Sequence, residues 1–142
     1  MTRSGLVALC ACCALCGCAK FQQAKECGAF VKTVNAWLAQ GTTDPKAPSN
    51  DPTTLASDSR ALAARYEDLS SKLAALHVAS DDLLPRVTRY QQIAGDAAQA
   101  LRQTADALDH HDLETARQKR IDFDTVARRE GPLVTEINGL CR

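Results

Sequence analysis

The sequence predicts an all-α fold, an antiparallel up-down-up-down four-helix bundle. Three observations carry that expectation. Alanine is abundant, at 24 of 142 residues, aromatics number only six, and Val, Ile and Thr do not gather into short alternating runs; such composition suits packed helices and gives a sheet little support. Four stretches repeat apolar residues at spacings of three and four, the mark of one buried helical face. Two short turns and one longer loop separate them, which makes antiparallel neighbours the natural assembly. A chain of 142 residues allows one domain with a single modest core.

The first 17 residues stand apart as a leader. Arg3 supplies a positive start and Ser4 to Leu15 form an apolar stretch of 12 residues. That is too short for a bilayer core, which takes about 20 residues, and it fits the apolar centre of a signal peptide. The stretch ends in Leu15-Cys16-Gly17-Cys18. These residues resemble the lipobox of bacterial lipoproteins: an apolar residue at −3, a small residue at −1 and a cysteine at +1, with Cys16 a less common occupant of −2. The resemblance covers residues 1–18 and implies a diacylglycerol on Cys18, cleavage before it, and acylation of the new amino group, commonly with palmitate. A single acyl chain holds a protein only marginally at a membrane, whereas two or three hold it stably. Cys10, Cys12, Cys13 and Cys16 are then discarded with the leader. The competing reading of these cysteines as a C-x-x-C metal or redox site lacks a second pair or a downstream histidine.

Residues 18–142 form the single bundle domain. The first helix is expected over about 20–40, with Ala24, Cys27, Val31, Val34 and Leu38 on its buried face, Phe30 and Trp37 flanking it, and Gly41 as its cap. Residues 41–54 form the one long loop, broken by Pro45, Pro48 and Pro52. The second helix follows over about 52–76, capped by Asp51 or Thr54, with Leu55, Leu62, Tyr66, Leu69, Leu73 and Leu76 as its stripe. Ser80 is placed to cap the third helix, and Pro85 falls in its first turn. Its stripe, Val87, Tyr90, Ala94, Ala97, Leu101, Ala105 and Leu108, mixes large and small residues and predicts a close helix approach. Asp112 caps the fourth helix, whose stripe is Leu113, Ala116, Phe123, Ala127, Val134, Ile137 and Cys141. Gly131-Pro132 interrupts that stripe without shifting its phase, so a kinked but continuous helix is expected. Asp68 with Lys72 and Asp124 with Arg128 are spaced as surface ion pairs, and Arg120 lies near the buried stripe, where its stem can snorkel or serve a partner.

Cys27 and Cys141 are the cysteines left after processing. Export would place them where disulfides persist. The alternatives are two free buried thiols or an intermolecular bridge. In an up-down-up-down bundle the start of the first helix lies beside the end of the fourth, and both cysteines fall on apolar stripes at that end. An intramolecular disulfide is therefore expected, joining the first helix to the C-terminus.

No constellation for catalysis or cofactor binding emerges from the sequence. The di-iron Glu-x-x-His pattern, C-x-x-C-H, H-E-x-x-H, G-x-S-x-G and phosphate-cradling glycine loops are all missing, and the mature chain has no Met for Met/His haem ligation. No cofactor is expected. His110-His111-Asp112-x-Glu114 is the one suggestive cluster. His and carboxylate can ligate zinc or copper, although a solvated turn ending in an N-cap accounts for the same residues. His77 suits the negative end of the second helix.

The charge balance is even, 17 basic against 17 acidic residues, and losing Arg3 with the leader leaves 16 against 17. That argues against a nucleic-acid partner and against a polybasic membrane patch. The sequence thus points to a non-enzymatic envelope protein, anchored to a membrane through Cys18, with a structural or protein-interaction role and another envelope protein as the expected partner. Ala19 after Cys18, in place of Asp, implies the outer membrane, facing the periplasm, by the sorting habit of bacterial lipoproteins. The alternative is a ligand- or metal-binding periplasmic bundle, a sensor or carrier. Alternating helix direction puts the 41–54 loop and the 109–112 turn at the end far from the lipid, the expected partner-facing surface.

Overall fold

The computed structural model describes residues 12–41 and 51–142, with the side chains of 12–19 excepted. Residues 1–11 of the expected 1–17 leader and residues 42–50 of the 41–54 loop lie outside the described residues, whereas the helix expected over about 20–40 begins at Cys12, so leader residues 12–17 share its backbone. Five helices follow in order among those described: α1 Cys12–Ala39, α2 Pro52–Ala74, α3 Leu84–Asp109, α4 Leu113–Ala127 and α5 Glu130–Leu140. No strand accompanies them. They assemble as the up-down-up-down bundle, with α4 and α5 together forming the fourth leg.

That fourth leg is a correction to the expected continuous helix. α4 ends at Ala127, residues 128–129 form a turn, and α5 starts at Glu130. Proline has no N–H to give the carbonyl four residues back, which here belongs to Arg128. Opening the backbone just before Glu130 moves Pro132 into the first turn of a new helix, where no intrahelical donor is required of it.

The caps follow the side chains. The Asp51 carboxylate accepts from Thr54 N at 2.8 Å and from Thr54 Oγ1 at 2.8 Å. Asp112 does the same for Thr115, at 3.0 Å from N and 2.7 Å from Oγ1. Ser80 Oγ accepts from Leu83 N at 3.3 Å, closing the turn that leads into α3.

α2 and α3 approach closely along small residues. Ala56, Ser59 and Ala63 are buried on α2, and Ala94, Ala97, Ala98 and Ala105 on α3. Ser70 Oγ donates to the Gln91 carbonyl at 3.3 Å, a side chain of one helix reaching the backbone of the other. Leu55, expected in the stripe, is instead 37% exposed, because the seam in the upper part of α2 runs through Ala56 and Ala63. Leu113 is likewise exposed, and Leu133, absent from the expected stripe, is fully buried. Fully burying a leucine contributes about 2 kcal/mol, and Leu69, Leu73, Leu83, Leu101 and Leu133 all reach that state.

The buried face of α1 is rotated from the one expected. Cys27, Phe30 and Trp37 are in the core with Val34 partly so, whereas Ala24, Val31 and Leu38 face outward. Aromatic rings bury more area than Val or Leu, and they set the rotation. Trp37 packs on Tyr66 at 5.0 Å between centroids, Tyr66 on Phe123 at 5.9 Å, and Phe30 edge-on to Tyr90 at 5.5 Å.

α1 also stops short. It ends at Ala39, and Gly41 just beyond lies against the Arg65 guanidinium, well below the start of α2 at Pro52. The upper part of the bundle, where Ala56, Ala105, Leu108 and Ala116 meet, is built from α2, α3 and α4. This corrects the expectation that the 41–54 loop springs from the far end. Gly41, where that loop begins, lies partway up the bundle, and Asp51, where the described residues resume, lies at the far end.

Candidate functional site

The lower end of the bundle is where the chain is most heavily tied together. Cys27 on α1 is disulfide-bonded to Cys141, just past α5, with 5.7 Å between their Cα atoms. The expected intramolecular pairing is the one observed. One residue earlier, Glu26 is 4% exposed, a charged group inside the structure. Its carboxylate accepts from Ala79 N at 3.1 Å, Ser80 N at 3.0 Å and Gln22 Nε2 at 2.8 Å. Three donors stabilise the charged form. The Gln22 amide and the two backbone N–H groups hold its carboxyl below the usual value against the opposing effect of burial. Glu26 thus fastens α1 to the α2–α3 turn, and Cys27 fastens it to the end of α5.

Sequence reasoning missed Glu26. Its only signal was an acidic residue beside Cys27 on an apolar helix face, which reads equally as a solvated edge. Two of the three donors that hold it are backbone groups more than 50 residues away, which leave no trace in composition or periodicity; the third, the Gln22 amide, is spaced as an ordinary helix-surface pair.

A second tie spans the middle of the core. Tyr90 on α3 is 1% exposed, and its hydroxyl donates to the Glu130 carboxylate at the first position of α5. Burial, together with that carboxylate, raises the Tyr90 phenol far above its ordinary value. The tie lies beside the 128–129 break and fixes the direction in which α5 resumes.

The histidine cluster is a helix stop joined to a helix start. The Asp112 carboxylate is engaged by Thr115, and His110 Nδ1 lies 2.7 Å from the Asp106 carbonyl oxygen. His111 adopts φ 57°, a left-handed conformation. His111 N donates to Leu108 O at 3.0 Å and Asp112 N to Ala107 O at 2.9 Å, the paired bonds of a Schellman motif. Glu114 pairs with Arg117 at 2.8 Å. Among the described residues no three His, Cys, Asp or Glu side chains converge as a metal would need. A surface depression of about 370 Å³ beside the turn is lined by Gln103, Asp106, His110, Asp112, Thr115 and Lys119.

The other singled-out residues are surface features. Lys72 pairs with Asp68 at 2.6 Å. Asp124 pairs with Arg120 at 3.5 Å, in place of the expected Arg128, and the Arg120 guanidinium lies over the Phe123 ring at 5.4 Å. The Arg120 stem therefore covers the core edge. His77 is exposed just past α2. Cys18 is part of the α1 helical backbone, and its side chain, the expected site of lipidation, lies outside what is described. No helix among the described residues is long and apolar enough to cross a membrane.

No protein family, no curated protein and no solved structure matches this chain.

Proposed function

We propose that this chain is a lipid-anchored, non-enzymatic protein of the bacterial cell envelope, held at the outer membrane through Cys18 and acting through contact with another envelope protein. One observation carries the reading: beyond the lipobox-like Leu15-Cys16-Gly17-Cys18, the chain keeps two cysteines, and these pair with each other. Such a bond persists in an oxidising compartment and is rare in a reducing one, so it supports export independently of the leader. The arrangement also suits an anchor. Glu26 and Cys27, which tie α1 to the bundle, lie eight and nine residues after Cys18.

Intact mass and metabolic labelling test this. The protein extracted from membranes is expected to begin at Cys18, carry diacylglyceryl and amide-linked acyl groups, and label with palmitate. Cys18→Ser is expected to accumulate as an unlabelled precursor. Palmitate label retained by Cys18→Ser would sink the anchor assignment. Crosslinking in the native envelope then names the partner, and recovery of the chain free of any crosslinked protein would remove the interaction role.

A further inference from the structure

Five of the six aromatic residues pack in the core, and the sixth, Phe21, is 69% exposed. It is not isolated. Phe21, Ala24, Gly28, Val31 and Leu38 recur at helical spacing and all face solvent, with Val31 39% and Leu38 50% exposed. With the exposed Asn35 between Val31 and Leu38 as the polar residue on the same face, they form a largely apolar stripe about 26 Å long at 1.5 Å per residue. This stripe flanks the buried one, so α1 is apolar toward the bundle and again beside it.

The charges of α1 are one-sided. From Lys20 onward its exposed charged groups are Lys20, Lys25 and Lys32, all basic. Glu26, the only acid there, is buried and fully engaged. α5, brought beside α1 by the disulfide, exposes Gly131, Pro132, Thr135, Asn138 and Gly139, and its Glu136 is drawn toward Arg86 and Arg89 of α3. Acidic groups among the described residues lie off α1: Glu67, Asp106, Asp109 and Asp122 pair with arginines and lysines on α2, α3 and α4, Glu130 and Glu136 belong to α5, and the exposed Asp81 and Asp82 sit in the α2–α3 turn. The near-zero net charge of the whole chain hides this division.

We propose that the outer face of α1 lies on an anionic lipid surface, so that the bundle reclines along the bilayer. An apolar stripe edged by lysines, with an aromatic at one end, is the composition of a helix that sits in a membrane interface. Lysines near anionic headgroups add a favourable term that acidic groups would cancel. The inference rests on the proposed anchor at Cys18, which lies one helical turn before Phe21 and brings the stripe within reach of the bilayer. A second copy is the poorer occupant. Two chains anchored in one leaflet would meet with their α1 helices parallel, which sets Lys25 and Lys32 against the same residues of the other copy.

The test uses protein purified from its own membrane and mixed into phosphatidylcholine vesicles, with or without phosphatidylglycerol, carrying brominated acyl chains. Phe21→Trp and Val31→Trp report the stripe, Gln99→Trp reports the opposite side, and the buried Trp37 is a constant background. In anionic vesicles the first two are expected to be quenched about threefold more strongly than the third. Lys25→Glu combined with Lys32→Glu is expected to cut that quenching severalfold. Equal, weak quenching at all three positions overturns the proposal, as does quenching of Phe21→Trp alone, the pattern of an upright bundle. Shielding of Val31→Trp from aqueous iodide without lipid quenching, in a protein that crosslinks as a dimer, also overturns it and assigns the face to a second copy. Intact mass reads the state of Cys18 separately. Loss of the anchor reading leaves the quenching pattern to decide the face.

Discussion

Trp37 and Arg65 hold each other in both directions. The Trp37 indole Nε1 donates to the Arg65 carbonyl oxygen at 3.0 Å, and Arg65 Nη2 donates to the Trp37 carbonyl oxygen at 3.3 Å. The guanidinium also lies over the indole ring, 5.3 Å from its centroid. Arg65 thereby adds a second donor to a carbonyl at the end of α1, which also accepts from Gln40 N at 3.2 Å. Trp37→Phe keeps an aromatic ring but removes the indole donor and part of the buried volume. It is expected to destabilise the protein by about 1–3 kcal/mol in urea titrations. An unchanged midpoint would show that the exchange adds nothing to docking of α1.

Gly41 shares this site. A Cβ there would stand 2.6 Å from Arg65 Nη2. The far end of an arginine ordinarily gives way at little cost, but this one is held by the Trp37 carbonyl and ring. Gly41→Ala is expected to cost about 1 kcal/mol in the native background and to become nearly neutral beside Arg65→Ala, a coupling that a double-mutant cycle measures. Additive effects would mean that Arg65 moves aside freely.

The disulfide closes a long loop, its cysteines standing 114 positions apart in the sequence. In the chain-entropy account a loop of that size contributes about 4–5 kcal/mol through the unfolded state. Replacing both Cys27 and Cys141 with Ala is expected to lower the urea midpoint by more than any single substitution at the core edge. Hydrogen exchange should also speed up first in α1. Uniform acceleration through α2 and α3 would show that α1 is not separately attached.

The helices and their order were legible because amphipathic spacing is a local property. Asp51 and Asp112 act at the caps where their positions placed them, whereas Ser80, expected to cap α3, instead closes the turn before it and the cap position falls to Leu83, which makes no side-chain cap bond. Cys27 and Cys141 could be paired because topology alone brings the two ends together. The rotation of α1 was not legible, because Val31 and Leu38 repeat at the same helical spacing as Phe30 and Trp37. Which set turns inward depends on the ring partners Tyr66 and Tyr90 on other helices. The break at 128–129 was misplaced for a similar reason. Proline disfavours the helix locally, but the interruption falls where Tyr90 can reach Glu130. Glu26 was hidden because two of its three partners are main-chain groups of a distant turn.

Glu26 gives the fold an acid-sensitive joint. Its carboxyl is held below the ordinary value of 4.5 by the Gln22 amide and the Ala79 and Ser80 N–H groups. A carboxylate with a depressed folded pKa contributes stability that is present above the unfolded value and lost as pH falls through the folded one. Glu26→Gln, which keeps the shape and removes the charge, is expected to be less stable than the native protein near neutral pH. The gap should narrow as pH falls below about 4.5. A gap independent of pH from 7 down to 3 would show that the Glu26 charge is not what holds the α2–α3 turn.

His111 supplies the last test, and it separates structure from ligand binding at the histidine turn. At φ 57° the residue occupies a conformation that a side chain disfavours and glycine adopts freely. It stands at the position after the α3 cap where glycine is the usual occupant, and the bonds from His111 N to Leu108 O and Asp112 N to Ala107 O run through the backbone alone. The imidazole contributes nothing to that geometry and is exposed. His111→Gly relieves the left-handed strain while increasing the freedom of the unfolded chain, and the first effect is expected to prevail by about 0.5–1 kcal/mol. A thermal melt should therefore shift upward by a few degrees. The shift should be the same with and without added zinc, because the turn is shaped by the backbone. A lower melting temperature for His111→Gly, or a zinc-induced rise in the native protein that the variant loses, would return the pair His110 and His111 to consideration as ligands.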